Sequence, residues 1–114
     1  MKRDYLDYLQ DIHTSIENIE KFIGQMTYKD FQKDEKTALA VIKSVEIIGE
    51  AVKKLPASFR NKHPKIEWKK MAGMRDILVH EYFGVDLKIL WRVIKKRIPG
   101  LKPLIAEIIK ESTS

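Results

Sequence analysis

The chain has 114 residues, 44% of them hydrophobic and 33% charged, and its 22 Lys/Arg against 16 Asp/Glu give a net charge of +6. That length suits one domain around one core, and the composition excludes disordered, collagen-like and low-complexity sequence. The absence of cysteine excludes disulfides, thiolate metal sites and thiol nucleophiles.

The apolar periodicity is helical almost throughout. Tyr5, Leu9, Ile12, Ile16, Ile19 and Ile23 recur in steps of four and three, one stripe on a long first helix that Gly24 can end. Residues 26–33 read as a polar and aromatic connector with room for a short helical turn. Asp34 offers an N-cap oxygen for a second helix carrying Ala38, Val41, Ile42, Val45, Ile48, Val52 and Leu55. Leu39 and Ile47 lie on a second side of it, so burial on two faces is expected. Pro56 limits this helix and can open a short turn inside the connection 56–67. A third helix should run from about Ile66 through Trp68, Met71, Met74, Leu78 and Val79 to Tyr82, closed by Phe83-Gly84. Asp86 then caps a helix with Leu87, Leu90, Trp91, Ile94 and Ile98. Pro99-Gly100 should interrupt it before a last short helix with Leu101, Leu104, Ile105 and Ile108. No alternating β-branched run is long enough for a strand. The expectation is an all-α antiparallel bundle of four to five helices, one domain over 1–114. It has more apolar surface than so small a monomer buries, so it should dimerise.

The first seven residues mix charges without an apolar signal-peptide core. The longest apolar run, 38–42, falls far short of the roughly 20 residues that span a bilayer. A soluble, cytoplasmic protein with no membrane contact is expected.

Charge is unevenly distributed. Residues 53–102 hold 14 Lys/Arg against four acids, a local +10, whereas residues 1–52 carry −3. A basic segment of this kind concentrates polyanions such as nucleic acid, although it also suits a merely solvated helix face.

Three histidines are the first candidates for chemistry. His13 lies one step off the first stripe, at a core boundary, and His63 lies in the basic connection beside Lys62 and Lys65. No histidine pair has metal-ligand spacing, and no P-loop, nucleophile elbow or calcium loop occurs, so neither a metal nor a cofactor is expected. His80 has different company: Arg75, Asp76, Glu81 and Tyr82 surround it at one helix end. Asp76 and His80 are i,i+4 neighbours, so the carboxylate can orient the imidazole and raise its basicity. Arg75 and His80 are five residues apart, about 140° around a regular helix. They meet on one phosphate only if the helix loosens near His80 or a second chain contributes. A salt-bridged histidine at a helix C-terminus, favoured by the dipole, remains the structural alternative.

The element R-x4-H-x-Y, here Arg75, His80 and Tyr82, resembles the signature of HEPN domains, in particular the HepT-like branch of toxin–antitoxin modules. Glu46-Ile47-Ile48-Gly49-Glu50-Ala51, Trp68 ahead of Met71-Ala72-Gly73-Met74-Arg75-Asp76, His80-Glu81-Tyr82-Phe83 and the Trp91 helix are also similar to the family pattern. The resemblance implies a helical homodimer whose two motifs face a shared cleft. It implies a toxin, of a type II or AMPylation-controlled module, acting as a metal-independent endoribonuclease. Arg75 and His80 would be catalytic, Asp76 supporting, and Lys69, Lys70 and Arg92 candidate RNA contacts. It further implies a small nucleotidyltransferase antitoxin (MntA-like) that transfers AMP to Tyr82 and blocks the cleft. Two other readings stay open: a non-catalytic partner and substrate of that nucleotidyltransferase, and a plain basic nucleic-acid-binding module.

Overall fold

A computed structural model describes residues 4–80 and 86–113, and over 75–80 it describes the backbone. Helix α1 (Tyr5–Ile23) begins with a reciprocal cap: the Asp4 carboxylate accepts from the backbone N–H of Leu6 and Asp7, and the Asp7 carboxylate accepts from that of Asp4. Gly24 ends it at φ 51°, in the left-handed region where a side chain is disfavoured, and its N–H donates to the Glu20 carbonyl at 2.9 Å. Leu9, Ile12, Ile16, Ile19 and Ile23 are all buried, as the stripe requires. Tyr5 departs from the stripe. It is 47% exposed, with its ring 5.0 Å from that of Phe59, because it occupies the first helical position beyond the end of the core.

The connector contains α2 (Tyr28–Lys33), capped by Thr27 and Asp30 in the same reciprocal way. Its Phe31 is wholly buried. Helix α3 (Glu35–Lys54) is capped by Asp34, as expected, and ends at the buried Leu55 before Pro56. It packs against α1 on one side and, on the other, against α5 (Trp68–His80), so it is covered from two directions. The buried arc, which includes Ala38, Val41, Ile42, Val45, Ile48 and Val52, spans about half the helix circumference. Leu39 and Ile47 fall outside that arc: Leu39 is 49% exposed and Ile47 half-buried, so they do not form the expected second buried face. Pro56 opens α4 (Ala57–Asn61), as anticipated.

Asp86 caps α6 (Leu87–Arg92) by accepting from the Lys88 N–H at 2.9 Å. The helix does not then break at Pro99-Gly100. It continues through a π-helical turn (Val93–Arg97) into α7 (Ile98–Thr113), a long helix rather than a short one. Part of the physical reason lies in the proline itself. Pro99 has no N–H, and its ring would clash with the carbonyl four residues back. The wider π turn, in which the Ile98 N–H reaches the Val93 carbonyl, accommodates that ring without ending the helix. The expected closure of α5 at Phe83-Gly84 lies outside the described residues. The architecture is an all-α bundle: α3 central, flanked by α1 and α5, with α7 against α1 and the short α2 bridging α3 and α6.

Candidate functional site

Helix α5 carries the motif positions, and its first half is firmly held. The Trp68 indole N–H donates to the carbonyls of both Arg60 and His63, at 3.1 and 3.0 Å, which ties the start of α5 to the 56–67 connection. Trp68, Met71 and Met74 are buried, and α5 packs along α3. From that anchored base the helix runs without interruption to His80. Positions 75 and 80 are therefore about 7.5 Å apart along the axis and about 140° apart around it. The backbone is regular helix through His80, and the expected loosening toward Gly84 lies outside the described residues. Asp76 stands one turn before His80. Tyr82 lies outside the described residues, as do the side chains of Arg75, Asp76 and His80.

The remaining basic candidates separate from one another. Lys69 and Lys70 are exposed at the first turn of α5, and Arg92 is exposed at the last residue of α6. Lys70 bonds the Glu67 carboxylate at 2.7 Å; that hydrogen bond, then the Lys70 charge, holds the Glu67 carboxyl below its ordinary range, and Arg97 adds to the effect. Lys70 lines a cavity of about 300 Å³ together with Lys65, Lys96 and Arg97, whereas Arg92 is not among its lining residues. Lys69 lines a neighbouring, wider concavity of about 660 Å³ beside Arg60, whose buried Nε has no hydrogen-bond partner among the described residues. The grouping of Lys96 and Arg97 with the start of α5 was not legible beforehand. Its only sequence trace is the cation run Lys95-Lys96-Arg97 just ahead of Pro99.

The other two histidines contact neighbouring residues of the fold. His13 Nδ1 lies 3.4 Å from the Glu17 carboxylate one turn along α1. The His63 ring packs 4.8 Å from Phe59, and its carbonyl receives the Trp68 indole. Among the described residues no three His, Asp or Glu side chains gather as a metal site, and no helix is long and apolar enough to cross a membrane.

The HepT-like family model, described as ribonuclease HepT-like, matches residues 12–108, and the chain belongs to that family. It is 52% identical over 102 residues to a Thermococcus cleftensis protein named "Probable ribonuclease HepT", covering 90% of this chain and 93% of that one. A Methanocaldococcus jannaschii protein named as a "Putative RNase" is 46% identical over 110 residues, covering 96% and 91%. A second "Putative RNase", from Caldanaerobacter subterraneus subsp. tengcongensis, is 46% identical over 104 residues, covering 91% and 93%. No solved structure matches significantly.

Proposed function

We propose that this chain is a single-domain endoribonuclease of the cytoplasm, active as a homodimer and independent of metal, and that it is the toxin of a toxin–antitoxin pair. The family assignment supports RNA as substrate, and the local +10 of residues 53–102 supports a polyanion. The observation that carries the dimeric reading is the unbroken α5. One chain presents positions 75 and 80 on different sides of a helix, and two chains related by a two-fold axis can present one Arg75 and one His80 to the same phosphate.

The chemistry is a transesterification. A base takes the proton of the ribose 2′-OH, the 2′-oxygen attacks phosphorus, and the P–O5′ bond breaks. An acid protonates the departing 5′-oxygen, leaving a 2′,3′-cyclic phosphate and a 5′-hydroxyl. An imidazole with a pKa near 6.5 serves either proton transfer. The Arg75 guanidinium binds two phosphate oxygens and stays charged as negative charge builds on them. At each phosphate one His80, opposite an Arg75 of the second chain, serves both roles in turn: the imidazolium formed by taking the 2′-OH proton returns a proton to the departing 5′-oxygen. Asp76, one turn from His80, orients the ring.

Control falls on Tyr82. A nucleotidyltransferase antitoxin joins its phenol oxygen to the α-phosphorus of ATP and releases pyrophosphate, which leaves a bulky, anionic AMP two residues from His80. The test is complementation. His80→Ala and Arg75→Ala each abolish RNA cleavage as folded homodimers, and a mixture of the two variants regains part of it, because one intact composite site forms per heterodimer. Mixed dimers that stay silent place each site within one chain, and cleavage that survives either single change removes the catalytic assignment. Co-expression with the nucleotidyltransferase adds one AMP mass to wild type and none to Tyr82→Phe.

A further inference from the structure

The seam between α5 and α7 holds a feature that the motif does not explain. A cavity of about 300 Å³ opens there, with Met71 and Met74 on one wall and Leu101 and Leu104 on the other. Three separate elements bring cations to it: Lys65 from the connection before α5, Lys70 from the first turn of α5, and Lys96 with Arg97 from the π turn. Among the described residues Glu67 is the one acid on the lining, and it is engaged by Lys70. Lys65, Lys96 and Arg97 form no ion pair among the described residues, and all three are exposed. A solvated helix face disperses its cations outward. Here they converge on a concavity whose inner walls are apolar.

That combination selects a ligand. Three cations without an ion pair among the described residues favour a phosphate, and apolar walls at the lower end of small-molecule cavity sizes suit the sugar and base attached to it. An acidic protein surface would meet the same charges, but it would leave the apolar recess unfilled. Lys70 stands five residues before Arg75 and ten before His80, about 7.5 and 15 Å along the helix axis. We infer that this seam pocket binds a backbone phosphate and its adjoining nucleoside in single-stranded RNA, a few nucleotides from the bond that is cut. The inference rests on the ribonuclease reading above and adds to it a second, non-catalytic contact that holds the strand.

The experiment compares wild-type full-length protein with Lys96→Ala/Arg97→Ala and with a control of equal charge loss, Lys21→Ala/Lys110→Ala, on exposed positions of α1 and α7. Binding of a fluorescent 12-nucleotide 2′-O-methyl oligouridylate is followed by anisotropy across a salt series. The pocket variant should bind about 10- to 100-fold more weakly and lose about one to two from the salt slope, with the control changed by less than about twofold. Cleavage of a 12-nucleotide RNA should show a raised KM, while kcat/KM for a dinucleoside monophosphate stays unchanged. Lys96→Glu, which keeps a long side chain, should weaken binding further than Lys96→Ala. Equal binding by the pocket and control variants overturns the pocket while leaving the ribonuclease intact. Wild type that neither binds nor cleaves RNA overturns both readings. A pocket variant that loses polyglutamate binding but keeps RNA binding overturns the inference in favour of an acidic protein partner.

Discussion

The α1–α3 side and the α5–α7 side of this protein meet the same packing requirement with different side chains. The first buries a stripe of isoleucines and valines, stiff at χ1, under helices started by Asp4, Thr27 and Asp34. The second buries Trp68, Met71 and Met74, leaves Trp91 half-exposed beneath Lys95, and runs a helix through a π turn and two prolines. Methionine adapts to irregular gaps where a β-branched residue does not. The charge division follows the same line. Several acids of the −3 half are engaged in helix starts, while many cations of the +10 half stay exposed. The lesson is a division of labour: one side commits its acids to helix starts, and the other leaves most of its cations exposed.

Phe31 tests that division most severely, because it joins the two sides. Wholly buried on α2, its ring stands 5.2 Å from that of Trp91 in α6. Phe31→Ala should cost about 3–5 kcal/mol in urea unfolding followed by circular dichroism. A loss below about 1 kcal/mol would mean that the halves hold together without it. Trp68→Phe sharpens the comparison within the basic side. It keeps an aromatic ring but removes the donor shared by the Arg60 and His63 carbonyls, at an expected cost of about 1–3 kcal/mol. RNA cleavage should fall with it, since α5 loses the anchor that aims its far end; unchanged cleavage would separate the anchor from function.

The smallest effect concerns the acidic side and pH. The Thr37 backbone N–H, and then its hydroxyl, hold the Asp34 carboxyl below the ordinary aspartate value, and Thr27 does the same for Asp30. A carboxyl depressed in the folded state contributes stability above its unfolded pKa, about 3.9, and loses it as pH falls through the lower folded value. The urea midpoint of wild type should therefore decline below about pH 4. Asp34→Asn, still a competent cap, should decline less steeply. Identical slopes would assign the acid sensitivity to other carboxyls.

Several elements are readable in the sequence because their causes are local. The Leu9–Ile23 stripe, the caps at Asp34 and Asp86, the terminating Gly24 and the turn after Pro56 each depend on spacing or on one side chain meeting nearby backbone. Phe31 escaped because six residues carry too little periodicity to reveal a buried face. The passage through Pro99 escaped because proline reads as a break wherever neighbouring packing is unknown. Ile98, Leu101, Ile105 and Ile108 are buried along α7, and that burial favours a widened turn over an ended helix.

By itself the sequence determined the all-α class, the family, the division of charge and the candidate set Arg75, Asp76, His80 and Tyr82, since composition, periodicity and motif are properties of the chain order. The angle of about 140° between positions 75 and 80 follows from helical rotation of about 100° per residue, and the structure keeps α5 helical to His80. Tertiary structure alone decided one thing. The meeting of Lys65 and Lys70 with Lys96 and Arg97 around one cavity, some 30 residues apart in the chain, exists only because the fold brings the start of α5 and the start of α7 to the walls of the same concavity.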